Sequence, residues 1–428
     1  MSPTTATTTC NQIPVGDLHC QRHPYDKELT TTCIDCSEKP DKKGFYQIKL
    51  HDTVLFPEGG GQPFDTGFID DIPVHNVQRQ GIEHVHYTKA PVAAGKQVTV
   101  KVDWDRRWDH MQQHSGQHLL SAVLEQEPFC VETGSWNMGA SRSYIELETR
   151  QDPSRVPTPE QLQQVERRVN KMIVESIPVI VHTQANKEDT ERPDSVPDDY
   201  VGGGTIRTVE IKGVDMNPCC GTHVSSTGHL QMIKLLHTEK ARGGNTRLFF
   251  LVGQRVTDYA ESMFQIAKQL TGLLSGPPET FVENVTRLQQ NNRTNMKAAK
   301  RWMSDLACHV AADLGQQLKS RDTVVMYRAD ADMEFLTQIA NTLKEKQVLE
   351  GHESKTIVLA AGETSVGGPM MVLGGSNDAV QHVAKAVTTQ LADSGIRGGG
   401  KGRWQGKAKS WKGIESLQEK LDQLSIST

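Results

Sequence analysis

Three histidines recur at four-residue intervals in His110-Met111-Gln112-Gln113-His114-Ser115-Gly116-Gln117-His118. Residues i and i+4 share one face of an α-helix, one turn apart, which is how a helix offers two imidazole nitrogens to one metal ion. At about 1.5 Å of rise per residue, His110 and His118 would stand about 12 Å apart, too far for two zinc–nitrogen bonds of about 2.0–2.1 Å. The pair is therefore 110/114 or 114/118, with His114 common to both. A second stretch, Asn217-Pro218-Cys219-Cys220-Gly221-Thr222-His223-Val224, sets thiols and an imidazole around a glycine in a tight loop. Either Cys219 or Cys220 could chelate together with His223. Two imidazoles from the helix, with one thiolate and one imidazole from the loop, make a mixed nitrogen and sulfur set that tetrahedral zinc accepts. One zinc ion per chain is the expectation.

Two further stretches carry chemistry. The loop from Asp52 to Pro63 holds three consecutive glycines, Gly59, Gly60 and Gly61, between Pro57 and Pro63. That exceeds the need of a two-residue hairpin turn and lets the backbone approach a ligand, while Gln62 adds an amide that both donates and accepts. From Ser394 to Ile414 there are six Lys or Arg and no acid. Arg397, Lys401, Arg403 and Lys407 would neutralise phosphates there, and Trp404 or Trp411 could stack on a base. A net charge of −5 excludes a global basic field, so any nucleic-acid contact must be local. Cys20, His23, Cys33 and Cys36 form a weaker second metal set, because Cys33 and Cys36 would face opposite sides of a continuous strand. Eight cysteines spread along a chain without a secretory signal point to a reduced, cytoplasmic setting. No run approaches the roughly 18 apolar residues of a membrane helix, so no membrane partner is expected.

The elements that must position these residues read as a multidomain α/β (α+β) chain. Residues 1–18 form a polar tail, expected to be disordered. Residues 19–104 hold short, evenly spaced strand signals (29–34, 45–50, 68–70, 72–77, 97–102) that suggest a small β-barrel carrying the glycine loop. Residues 105–257 form an α+β domain built on the histidine helix, which either Asp103 or Asp105 could cap. In it Thr158-Pro159-Glu160-Gln161 spells a helix start with a capping box, and 184–204 is a polar loop. Residues 258–320 are a helical linker. Phe281, Val285, Leu288, Asn292, Asn295, Ala299, Trp302 and Leu306 alternate at spacings of four and three within it, a heptad seam suited to self-association over 281–306 or to an intramolecular bundle. Residues 321–428 alternate strands and helices as a compact α/β domain ending in the basic segment.

Taken together, Gly-Gly-Gly-Gln-Pro at 59–63, the HxxxH ending in His118-Leu119-Leu120, and Cys-x-Gly-Thr-His-Val at 219–224 resemble the stand-alone alanyl-tRNA editing proteins and the editing domain of alanyl-tRNA synthetase. The resemblance runs from about residue 20 to the C-terminus and matches the long form, whose C-terminal region is similar to that of alanyl-tRNA synthetase. It implies zinc ligands at His114, His118, Cys219 and His223, with Cys220 standing where the family usually has glycine. The related threonyl-tRNA synthetase domain typically has Pro where Thr222 stands, which favours the alanine type. The implied substrate is tRNA(Ala) mischarged with serine, cleaved at its ester by a zinc-dependent deacylase acting in trans, since nothing resembles an ATP-using aminoacylation domain. Thr53, Gly60, Gly61 and Gln62 are then expected to meet the substrate. The Thr53 hydroxyl would recognise the seryl hydroxyl that alanine lacks, and the C-terminal basic segment would hold tRNA. The competing reading is a non-catalytic, zinc-containing tRNA-binding protein.

Overall fold

The structure, a computed structural model, describes residues 12–185 and 205–425. The expected polar loop at 184–204 lies almost wholly outside the described residues. The chain divides into two compact units, Met1–Gln269 and Leu270–Thr428.

The first unit opens with a short helix, α1 (His19–Arg22), and six strands: β1 (Glu28–Cys36), β2 (Tyr46–Leu50), β3 (Gly67–Ile69), β4 (Ile72–Gln80), β5 (Glu83–Thr88) and β6 (Gln97–Val102). They close a barrel in the order β1-β2-β5-β4-β3-β6, every pairing antiparallel. Closure leaves no sheet edge exposed. Inward residues such as Cys33, Ile48, Leu50, Val74, Val77 and Val100 fill the interior. Residues 12–18 correct the expectation of a disordered tail reaching residue 18. Val15 and Leu18 are buried with Cys20 and Phe56, and the Ile13 and Val15 amides donate to the His51 and Ile82 carbonyls. The sequence pattern also missed β5, because Glu83-His84-Val85-His86-Tyr87-Thr88 reads as polar. Both His84 and His86 are fully buried.

The barrel leads into α2 (Trp104–Glu125), whose N-cap is Asp103, accepting from the Arg106 amide. β7 (Thr133–Met138), β8 (Ser143–Leu147), α3 (Pro159–Val174), β9 (Val179–Ala185), β10 (Thr205–Ile211), β11 (Asp215–Pro218), β12 (Ile233–Lys240) and β13 (Thr246–Val252) follow. They form two sheets, β12-β13-β8-β7 and β11-β10-β9. The Thr158/Gln161 capping box starts α3 as the sequence indicates. Met111, Leu119, Leu120, Val123 and Leu124 of α2 enter one core with Val165, Val169 and Ile173 of α3 and with Leu147, Val209, Leu248 and Phe250 of the strands. One face of α2 is thus fixed by burial, and this decides where its histidines point. A buried ion pair ties α2 to the barrel: Arg107 donates through Nε to Asp65 Oδ2 at 2.9 Å and through one terminal nitrogen, Nη2, to Asp65 and to the Val54 carbonyl.

α4 (Gln254–Leu274) runs across the boundary between the units. In the second unit, α5 (Phe281–Gln317) precedes β14 (Thr323–Arg328), α6 (Met333–Glu345), β15 (Thr356–Ala361), β16 (Gly368–Gly374), α7 (Asn377–Gln390), β17 (Arg397–Gly399), β18 (Arg403–Ala408) and α8 (Leu417–Ser425). The sheet runs β14-β15-β16-β18-β17, with β14–β15 parallel and the other pairs antiparallel. The linker expected over 258–320 is not a separate body. Ala307, Ala311 and Leu314 of α5 share a core with Phe335, Leu336 and Ile339 of α6. The basic segment contains the hairpin β17–β18. Its tryptophans are not free to stack on a base, because Trp404 and Trp411 are buried in the core and Trp411 Nε1 donates to the Ala361 carbonyl at 2.8 Å.

Burial inside the barrel gives one group a readable pH dependence. His86 bonds through Nε2 with Thr53 Oγ1 at 2.9 Å, and desolvation lowers its pKa to about 4. The folded state therefore keeps this ring neutral while the unfolded chain binds a proton below about pH 6.5. Its contribution is complete above that pH and is lost as pH falls from about 6.5 to about 4. Urea unfolding of metal-free protein should show falling stability over this window. His86→Gln should reduce the proton uptake on unfolding by about one; an unchanged slope would contradict a neutral buried His86.

Candidate metal centre

α2 sends His114 and His118 to one side, one turn apart, and the loop that follows β11 sends Cys219 and His223 to meet them. One ligand atom from each of the four lies within 4.8 Å of the others. Cys219 Sγ is 3.3 Å from His114 Nε2 and 3.2 Å from His223 Nε2. Donor atoms about 3.4–3.6 Å apart are the edges of a tetrahedron with zinc–nitrogen bonds of about 2.0–2.1 Å and a zinc–sulfur bond of about 2.3 Å. The donor set therefore fits a zinc-like ion. His110 is outside the group: its Nδ1 lies 3.7 Å from Asp65 Oδ1, on the side of the buried Arg107 pair. Cys220, too, is outside it. The structure thus brings His114, His118, Cys219 and His223 together and leaves His110 and Cys220 outside the group.

One loop residue of the group, His223, and one helix residue, His114, are each aimed by a hydrogen bond on the far side of the ring. Gln62 Oε1 is 3.0 Å from His114 Nδ1 and accepts from the Thr222 amide at 2.9 Å, while Gln62 Nε2 donates to Thr222 Oγ1 at 2.9 Å. Ser115 Oγ is 3.1 Å from His223 Nδ1 and accepts from the Val224 amide at 3.1 Å. When the two Nδ1 atoms carry protons that point to these oxygens, both Nε2 lone pairs face the cluster. Gly221 cannot carry a side chain, since a Cβ there would meet His114 Cε1 at 2.2 Å. Desolvation holds His114 and His223 well below the usual imidazole range and brings His118 to about 4, so all three rings stay in the neutral form that binds metals. Burial pushes the Cys219 thiol up to about 12, so an arriving cation replaces its proton.

The group opens on a cavity of about 520 Å³, lined by His114, His118 and Cys219 and also by Gly59, Gly60, Gln117, Ser121, Glu125, Thr133, Trp136, Arg207 and Cys220. Of the four residues expected to meet a substrate, Gly60 alone lines this space. Gln62 is fully buried and holds His114 instead. Gly61 lies beneath Trp136, where a Cβ would come within 2.6 Å of the indole. Thr53 is fully buried behind the wall, its Oγ1 accepting from the Leu55 amide at 3.0 Å and bonded to His86. The second metal set does not form. Cys20 packs with Val15, Leu18 and Phe56, whereas Cys33 and Cys36 belong to the barrel core. Sequence reasoning missed Ser115, Trp136 and Arg207. Arg207 carried a signal, a charge inside the apolar strand Ile206–Ile211, and the fold buries it.

This fold and site define a class. Residues 206–249, which include Cys219 and His223, match the second additional domain of threonyl- and alanyl-tRNA synthetases. The mouse alanyl-tRNA editing protein Aarsd1 is 41% identical over 91% of this chain and 93% of its own length. The putative alanyl-tRNA editing protein alaX of Saccharomyces cerevisiae is 33% identical over 95% of this chain and 96% of its own. An alanine–tRNA ligase of Ignicoccus hospitalis is 28% identical over 89% of this chain, but only 40% of that enzyme is matched. The chain belongs to the alanyl-tRNA editing protein family.

Metal analysis of purified variants checks the ligand set. Cys219→Ala and His118→Ala should lose bound zinc, while Cys220→Ala and His110→Ala keep about one ion per chain, because those two side chains stand outside the group. Loss in Cys220→Ala with retention in Cys219→Ala would show that the other sulfur is the ligand.

Proposed function

We propose that this chain edits alanyl-tRNA in trans, hydrolysing the ester of tRNA(Ala) mischarged chiefly with serine, with one zinc ion per chain. The observation that carries the reading is that three of the four residues of the His/Cys group, His114, His118 and Cys219, line an open cavity rather than a closed core. Similarity over nearly the whole length of relatives named as alanyl-tRNA editing proteins supports the substrate. His114, His118, Cys219 and His223 would hold the ion, and Gln62 and Ser115 orient two of the rings. When bound, zinc supplies a Lewis acid at the cavity wall that can polarise a carbonyl or lower the pKa of a water molecule. The chain itself shapes the space. Trp136 and Phe56 give apolar wall, and Gly59 and Gly60 let backbone come close. The seryl hydroxyl has partners in Ser121 and Thr133, which line the cavity where Thr53 does not. Their hydroxyls already bond to each other, to Gln117 and to Glu125, and a seryl hydroxyl would join that network where alanine has no group to do so.

The hairpin β17–β18 supports tRNA binding in the second unit. Arg397 sits directly opposite Lys407 in the antiparallel register, and both are exposed. Like charges opposite each other are unfavourable unless an anion joins them, which suits a phosphate. Lys401 lies in the turn between the strands, and Arg403 begins β18. The proposed setting is the cytoplasm, since the described cysteines are free thiols, as a reducing compartment keeps them. Among the described residues no helix is long and apolar enough to cross a membrane. Along α5, Val285, Leu288, Trp302 and Leu306 are exposed, and a second copy of the chain is the proposed partner of that seam. Leu288→Glu should then lower the mass measured by sedimentation; an unchanged mass would remove this partner.

Deacylation kinetics on seryl-tRNA(Ala) test the main reading. The purified protein should release serine faster than it releases alanine from the correctly charged tRNA, and a zinc chelator should abolish the activity. Replacing Lys401 and Lys407 with Gln should raise KM and flatten its salt dependence, with kcat little changed. A folded, zinc-loaded protein that binds tRNA without hydrolysis would favour the non-catalytic alternative.

A further inference from the structure

Arg207 is a guanidinium with 2% of its surface exposed, and its partners are backbone carbonyls rather than a carboxylate. One terminal nitrogen donates to the Gly221 carbonyl at 2.8 Å and reaches the Cys219 carbonyl at 3.4 Å. The other donates to the Gln21 carbonyl at 2.9 Å. Gln21, also 2% exposed, donates from Nε2 to the Cys220 carbonyl at 2.6 Å. Its Oε1 accepts from the Gly16 and Leu18 amides at 2.7 and 3.1 Å. Three consecutive carbonyls, those of Cys219, Cys220 and Gly221, are thus taken by two buried side chains from separate parts of the fold.

Such pinning has a physical consequence. A loop with two adjacent cysteines can present either sulfur by a small rotation of its backbone. Fixing successive carbonyls removes that freedom, as does the Cys219 amide, which donates to the Arg207 carbonyl at 3.0 Å. Hydrogen bonds from a charged donor are the stronger kind, and a buried cation without acceptors would be costly, so the loop and Arg207 hold each other in place.

We infer that Arg207 and Gln21 form a clasp that sets the metal-binding loop, making the N-terminal segment 16–22 a part of the site. Both are positioning residues, acting through the backbone of residues 219–221. The inference rests on the metal reading for its functional consequence but not for its structural one. It also gives Cys219 its role over Cys220: the clasp fixes the backbone that aims Cys219 Sγ between His114 and His223.

The test uses the full-length chain with Gln21→Ala, Arg207→Met and Arg207→Lys. Amide hydrogen exchange is followed at 219–224 in metal-free and zinc-loaded protein, with β12 and β13 as internal controls of folding, and zinc affinity is measured by competition with a chromophoric chelator. Gln21→Ala and Arg207→Met should speed exchange at 219–224 and leave the β12–β13 amides protected. Zinc affinity should fall about 10- to 100-fold, the usual effect of losing an outer-shell partner. Arg207→Lys, which keeps a cation but not the fork, should fall between Arg207→Met and the native protein. Gln21→Ala removes no buried charge, so it keeps the test decisive if Arg207→Met unfolds. Native exchange and native affinity in Gln21→Ala would overturn the clasp. If the unmodified protein takes up no zinc, the metal reading fails, and the exchange rates of the metal-free proteins still decide the clasp.

Discussion

Four uncharged donors that converge from two distant segments attract one another only weakly before a cation arrives, through the contacts of the Cys219 thiol with the His114 and His223 rings. His114 and His223 are buried and His118 and Cys219 half-buried, with no charge among them to hold the cluster. What holds it is a set of hydrogen bonds on the outer side of the ligands. Gln62 and Thr222 pair through two bonds while Gln62 takes His114, and Ser115 takes both His223 and the Val224 amide. Orientation is supplied in advance, so metal binding need not order the chain as well, which lowers its entropic cost.

This constraint explains why the barrel belongs to the site. Gln62 is the residue that follows the three glycines, and it can reach His114 only if the barrel stays in register with α2. The Arg107–Asp65 pair holds that register from within. A buried ion pair is a weak source of net stability, but removing one partner leaves an uncompensated charge and is costly. Its value here is positional: it links the strand–loop segment at Val54–Asp65 to the helix that carries two ligands. The cavity wall is then made jointly by barrel loop, helix, strand and metal loop.

Much of the site was legible in the sequence because its ligand spacing obeys helix geometry. His114 and His118 sit one turn apart, and Cys219 with His223 bracket a glycine that the fold leaves no room to replace. Two ambiguities, His110 against His118 and Cys219 against Cys220, needed either the family resemblance or the three-dimensional arrangement, since a local repeat says nothing about which face is buried. The barrel was legible from its short strands except β5, whose histidines look polar in sequence but lie inside. Thr53 and Gln62 were expected at the substrate for sound chemical reasons. Their polar atoms are instead satisfied by His86, Leu55, His114 and Thr222, partners too remote in sequence to foresee, apart from Leu55. The tryptophans of the basic segment misled in the same way: next to Lys and Arg they suggest stacking on bases, yet their large apolar surfaces are taken by the core of the second unit.

The proposed zinc site takes three imidazole nitrogens and the Cys219 sulfur as its four ligands. X-ray absorption at the zinc edge of the loaded, full-length protein measures that directly. The expected spectrum fits three nitrogen scatterers at about 2.0–2.1 Å and one sulfur at about 2.3 Å, and Cys219→Ser removes the sulfur shell. Two sulfurs in the shell, or a sulfur signal that survives Cys219→Ser, would contradict it.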